Sequence, residues 1–153
     1  LANMAAEDAA MARVCYEAAL RVPPDLVEMV LAATAQERAA RALGCAVARE
    51  IFADRAYEDD ATLVDRGKPG AVIHDPARAA ARMVEMVRVG AIIAESGRRI
   101  PSKIDTICLH GDTAQAVAIA RAVRSALEGA GVTVSSQAKP RPRVSTFSSP
   151  SAW

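Results

Sequence analysis

Apolar and polar positions along the chain change period several times, and each change marks an element. Residues 5–21 carry an alanine-rich helical pattern in which Met11, Val14, Cys15 and Ala18 or Ala19 recur on one face, with Glu7 and Asp8 near the positive end of the helix dipole. Pro23 and Pro24 stop it, and Leu26–Ala32, apolar but for one charge, predicts a buried strand. Thr34 followed by Glu37 predicts a capping box opening a helix over 35–43, and Gly44 closes it. Cys45–Ala53 predicts a second strand. Residues 54–74 show no clear period and read as one long irregular segment, the kind that is usually functional or a linker.

Asp75-Pro76 predicts a strong helix start, with the run ending near Val89 at Gly90. Residues 91–101 predict a short hairpin around Ser96-Gly97, and Thr106–Leu109 a third strand. His110-Gly111-Asp112-Thr113 reads as a turn, 114–129 as a helix closed by Gly129 and Gly131, and Val132–Val134 as a last short strand. From 135 onward the chain is rich in Ser, Pro and Arg and reads as a disordered tail, leaving 1–134 as the structured part. Strand and helix alternate, which predicts an α/β fold with parallel strands and crossover helices. Ligands in such folds sit beyond the carboxyl ends of strands, which singles out the residues just after 45–53 and those just after 106–109.

Composition narrows the chemistry. Hydrophobic residues make up 52% and aromatics 3%, so the core is built from small and aliphatic side chains and offers little for base stacking. A net charge of +1 gives no global field for nucleic acid or an anionic membrane. No apolar run approaches the ~20 residues that cross a bilayer. Three widely spaced cysteines with no C-x-x-C pair point to reduced, buried thiols and a cytoplasmic setting rather than a zinc knuckle. There is no phosphate-loop, dinucleotide or nucleophile-elbow motif, and no H-x-x-x-H pair for a metal. The chain begins at Leu1, almost directly in a helical pattern, and is read as a fragment.

Two constellations remain. In Glu50-Ile51-Phe52-Ala53-Asp54, strand alternation sends Glu50, Phe52 and Asp54 to one face. Carboxylates there need partners, so with Arg55, Arg66 and Lys68 they form either a site or an ion-pair network closing the long loop. In the second, His110 at a strand end suits proton transfer, and Asp112 or Thr113 can cap a helix whose free N–H groups favour an anion, with Gly111 allowing a tight path. The alternative is a satisfied core histidine beside an ordinary cap.

The runs "REIFADRAYEDDATLVDRGKPGAVIHDP" and "DTICLHGDTAQAVAIARAVRSALEGAGV", with the opening "LANMAAEDAAMARVC", resemble the LamB/YcsF family over about residues 1–134. The resemblance implies the C-terminal part of a distorted β/α barrel, similar to glycoside hydrolases and deacetylases. It implies an enzyme, the A component of a 5-oxoprolinase, which opens 5-oxoproline to glutamate with ATP in a complex with B and C subunits. An unstrained lactam resists water, and phosphorylating its carbonyl oxygen would activate it. Positions that match are Glu50, Phe52, Asp54, Arg55 and Tyr57, then Asp60, Leu63, Arg66, Gly70 and Ala71, then His110, Gly111, Asp112 and Thr113. From these, Asp54, His110, Glu50 and Asp112 are expected to be catalytic. Arg55, Arg66, Gly111, Thr113 and Tyr57 are expected to hold substrate or phosphate. The family's "DLNCDLGE" and "CGFHAGDP" are absent, Ala2 stands for its usual Tyr, and "GDTAQAV" for its "GDTPGAV". Two other readings compete: a metal-dependent deacetylase or amidohydrolase, and an inactive fragment that only binds partner subunits.

Overall fold

The structure, a computed structural model, describes residues 2–22 and 26–135. The tail expected from 135 onward lies, from 136, outside the described residues. Elements run α1 (Ala2–Glu7), α2 (Ala9–Ala19), β1 (Val27–Leu31), α3 (Ala35–Ala42), β2 (Ala46–Phe52), α4 (Pro76–Val89), β3 (Ala91–Ile93), β4 (Arg99–Pro101), β5 (Thr106–Cys108) and α5 (Ala116–Gly129). Strands β1, β2 and β5 form a parallel sheet in the order β1-β2-β5, and β3 and β4 a separate antiparallel pair. The alternating pattern thus gives parallel strands with crossover helices, as expected.

The single helix expected over 5–21 is broken in two. Asp8 adopts an extended backbone, and its carboxylate accepts from Ala10 and Met11 N–H at 2.8 and 3.1 Å. An aspartate in that conformation caps a new helix rather than continuing an old one. At α3, Thr34 occupies the N-cap position, yet its hydroxyl donates backward to Leu31 O at 2.7 Å, while Glu37 accepts from Ala33 N–H at 2.9 Å. The capping box is therefore shifted by one residue on its acidic side and open on the other. Helix α4 starts as predicted, Asp75 accepting from Ala77 N–H with Pro76 behind it, and ends on Gly90 at φ 63°, where a side chain would strain the backbone.

Two cores support the sheet. Ile51 and Ala53 of β2 and its tip pack with Met83 and Met86 of α4 and Ile119, Val123 and Leu127 of α5. Tyr16 of α2 packs with Val30 of β1, Ala40 of α3 and Cys45. Ile51 and Ala53 are fully buried while Glu50 and Phe52 are half-buried, so the two-residue alternation is realised over 50–53. Each of β1 and β5 has one strand neighbour among the described residues.

The strand expected at Val132–Val134 is not formed. Those residues are irregular and line an apolar groove of about 510 Å³ with Ile107, Leu109 and Leu127, beside β5. Three residues of strand propensity do not make a strand without a partner whose backbone they can reach.

A half-buried ionic cluster joins α3 to the sheet. Arg49 Nε donates to Glu37 at 2.7 Å and its Nη1 to Asp105 at 2.9 Å, with Lys103 also on Asp105 at 3.1 Å. Burial pushes both carboxyls up, but the Ala33 N–H and Arg49 on Glu37, and Arg49 N–H, Lys103 and the Arg49 guanidinium on Asp105, hold them below their ordinary values of 4.5 and 3.8. A depressed folded-state pKa gives stability that is complete above the unfolded value and is lost as pH falls through the folded one. The urea midpoint should therefore drop on acidification below about pH 4, and Arg49→Met should flatten that slope over the same range. A parallel slope in the variant would sink the assignment.

Candidate functional site

The sheet carries polar groups at its carboxyl end because β2 and β5 run parallel in a fixed register. Glu50 pairs with Thr106 and Phe52 with Cys108, and Ala53 N–H extends the ladder by donating to Cys108 O at 3.0 Å. That last bond sets Asp54 beside His110. The His110 ring donates from Nδ1 to the Asp54 carboxylate, at 2.8 Å to Oδ2 and 3.0 Å to Oδ1. A carboxylate accepts, so Nδ1 carries the hydrogen and Nε2 keeps a lone pair. Phe52 stacks on the imidazole with centroids 5.1 Å apart and planes 10° from parallel. The Cys108 sulfur lies 3.9 Å from Nε2.

Asp54 is 3% exposed, whereas His110 is half-buried, so the pair reaches solvent through the histidine. Glu50 is half-buried on the same face, and burial pushes its carboxyl up, opposed by His110. A carboxyl so placed keeps its proton to higher pH than an exposed one and can act as an acid beside a base. The arrangement offers one oriented imidazole nitrogen and one reluctant carboxyl near the strand ends, which suits proton transfer to and from a polar substrate.

The other expected site residues are placed differently. Arg55 is 3% exposed, and its guanidinium donates to Val64 O at 2.7 Å and Ala71 O at 3.4 Å. Burial, then the nearby Arg66, lowers its pKa. Tyr57 is fully buried, and its hydroxyl accepts from Phe52 N–H at 2.7 Å, with burial pushing its pKa up. Both were expected to hold ligand; Arg55 is bonded to the backbone of the segment after β2, and Tyr57 to the backbone of Phe52 at the end of β2. As expected, that segment holds no helix or strand of its own, yet it is packed. Bridges Arg55 to Val72 and Tyr57 to Leu63 fold it back on itself, and Ala56, Tyr57, Ala61, Val64, Ala71 and Ile73 are buried in it.

Arg66 and Asp112 form an exposed ion pair at 3.0 Å that ties this segment to the turn after β5, and Arg66 holds the Asp112 carboxyl below its usual range. Neither Asp112 nor Thr113 caps α5: the helix begins at Ala116 after a turn, with Gln115 at the cap position making no side-chain bond. Gly111 has no positive φ, and a side chain there would meet nothing within 4 Å, so the turn does not use glycine's freedom. The expected phosphate cradle of Arg55, Arg66 and the 111–113 turn is thus not assembled. One cation is buried, one is paired with a carboxylate, and the helix N-terminus lies further along the chain. These residues do not by themselves fit the triphosphate of ATP. Among the described residues no group of three or more His, Cys, Asp and Glu is placed to hold a metal ion, and no helix is long and apolar enough to cross a membrane.

Sequence reasoning treated Cys108 as a small hydrophobe, and the structure puts it against the histidine. The signal was present in the spacing, since residues two apart on a strand share a face. Burial, then Glu50 and Asp54, pushes its thiol up to about 11.

The chain matches the LamB/YcsF family over residues 1–141. It is 62% identical over 134 residues to a Ruegeria pomeroyi protein named as the A subunit of 5-oxoprolinase, a match covering 88% of this chain and 53% of the relative. A Rhodopseudomonas palustris protein of the same name is 52% identical over 134 residues, covering 88% of this chain and 52% of the relative. In three dimensions the chain resembles the lactam utilization protein of Thermus thermophilus, with a TM-score of 0.73 and 40% identity over 85% of this chain and 51% of that one. The chain spans about half the length of the relatives it matches. The strand-end site, the long matching runs around Glu50–Tyr57 and His110–Thr113, and these likenesses agree: the chain belongs to the LamB/YcsF family.

Proposed function

We propose that this chain carries the proton-handling part of a 5-oxoproline hydrolase, an enzyme that opens the lactam to glutamate in an ATP-dependent reaction together with further subunits. The observation that carries the reading is the Asp54–His110 pair, which presents the Nε2 lone pair of an oriented imidazole beside Glu50 at the end of the sheet. Opening an amide requires a proton taken from attacking water and a proton given to the departing nitrogen. His110 suits the first task and Glu50, whose carboxyl burial pushes up, the second. The names of the relatives, a 5-oxoprolinase component and a lactam utilization protein, support the substrate class and the multi-subunit setting. The need for ATP comes from the substrate: an unstrained five-membered lactam is a poor electrophile until its oxygen is activated. The residues that would hold the nucleotide are not assigned to this chain, because Arg55 and Arg66 are already partnered.

The test is a chimera in which this sequence replaces the matching stretch of the Ruegeria pomeroyi relative. Glutamate release from 5-oxoproline is followed with and without ATP in the presence of that relative's partner subunits. ATP-dependent release near the parent's rate supports the reading. A folded chimera that releases no glutamate removes it.

A further inference from the structure

The imidazole of His110 is held on three sides. Asp54 takes Nδ1–H, Phe52 covers one face of the ring, and the third contact is Cys108 Sγ, 3.9 Å from Nε2. Strand register explains why the sulfur is there. Cys108 pairs with Phe52 across the β2–β5 ladder, and His110 follows two residues later, just past the end of β5.

A cysteine beside a histidine that is itself oriented by a carboxylate has the layout of a nucleophile, a base and an orienting acid. The surroundings argue against a thiolate. The titratable groups around the sulfur are Glu50 and Asp54 from β2 and its tip, Tyr57 from the segment behind them, and His110. Both carboxyls would repel a thiolate, and the half-buried position disfavours any charge. A neutral thiol, by contrast, fits the bonding. Nε2 carries a lone pair, S–H is a weak donor, and a weak donor is readily displaced by a better one.

We propose that Cys108 is a positioning residue: its neutral thiol donates to Nε2 of His110 and, with Asp54 on the opposite nitrogen, keeps the ring aimed and its lone pair available until a water or substrate N–H takes the thiol's place. This deepens the reading of Asp54 and His110 as the proton-handling pair and rests on it. Sulfur is suited to the task because its hydrogen bond is weak enough to give way, while its bulk stops the ring from turning.

Two measurements test this without turnover, so failure here is distinct from failure of the lactam reading. The first is the ring ¹⁵N spectrum of His110 in the full chain at about pH 8. Nδ1 should carry the proton and Nε2 should show a hydrogen-bonded lone pair. Cys108→Ala should move the Nε2 resonance downfield toward a free lone pair, and Cys108→Ser should restore it. An unmoved Nε2 signal in Cys108→Ala, or a proton on Nε2 in the parent chain, overturns the proposal. The second is alkylation by iodoacetamide, read by mass spectrometry on the tryptic peptide spanning residues 104–121. With the thiol near 11, labelling at about pH 8 should be roughly a hundredfold slower than for an ordinary exposed thiol. An inflection near neutral pH would make Cys108 an activated nucleophile and overturn the assignment. Serine keeps a donor of similar size at the position, so the restoring variant also controls for any loss of folding in the alanine one.

Discussion

Asp54→Asn should lower lactam turnover by about 10²–10⁴-fold in the chimeric enzyme while leaving its melting temperature close to the parent's. The carboxylate accepts from His110 Nδ1–H with both oxygens, at 2.8 and 3.0 Å, so it fixes which nitrogen carries the proton. An amide of the same shape fills the same buried space, yet its NH₂ group can donate to Nδ1. The ring then carries its hydrogen on Nε2, where the lone pair is needed. The loss should fall on kcat rather than KM, because Asp54 is 3% exposed and reaches substrate only through the histidine. His110→Ala should lose as much, and the double variant little more, since the two act as one unit. Turnover in Asp54→Asn within about threefold of the parent would remove the pair from the chemistry.

Arg55→Ala should be felt as unfolding rather than as weaker binding. The guanidinium is buried and donates to Val64 O and Ala71 O, two carbonyls on opposite arms of the segment that folds back after β2. Removing it takes the guanidinium from Val64 O, leaves Ala71 O only its bond from Ala56 N–H, and opens a hole beside Ala56, Val64 and Ala71, which form a small core of their own. The combined effect should be about 2–4 kcal/mol, or a fall of roughly 10 °C in melting temperature for a chain of this size. Because Ile73 N–H donates to Asp54 O, loosening this segment also loosens the base of the site, so turnover falls as a consequence. A variant with an unchanged melting temperature and a raised KM would restore Arg55 to the role of ligand holder.

Local signals in the sequence survive packing best. Asp75-Pro76 and Gly90 framed α4 because cap chemistry is local and nothing nearby competes for the groups involved. Parallel pairing of β1, β2 and β5 was legible in the alternation of strands with helices, and the rule that sites lie at strand ends brought Asp54 and His110 together from 56 residues apart. The break at Asp8 was not read, because an aspartate near a helix start suits both the first turn and a cap, and only the backbone angle decides. Arg55 misled for a different reason. A cation beside two carboxylates looks like an anion holder, and only the fold shows that its donors are already taken by backbone oxygens. The segment from 54 to 74 lacked a period because it is held by two isolated bridges and short turns, not by an element long enough to repeat. Cys108 lay in plain view in the spacing of a strand, and its importance appears only once the ring of His110 is placed.

The three-stranded sheet has a bearing on how this polypeptide behaves in the test tube. Among the described residues, β5 has no strand on its outer side, whereas on β1 the Leu31 N–H and O are already taken by the Gln36 and Thr34 side chains. A row without a strand alongside is a template: it recruits any extended backbone of suitable length, including that of another copy. Purified alone, the chain should grow stickier with concentration, and short extended peptides that bind along β5 should keep it dispersed.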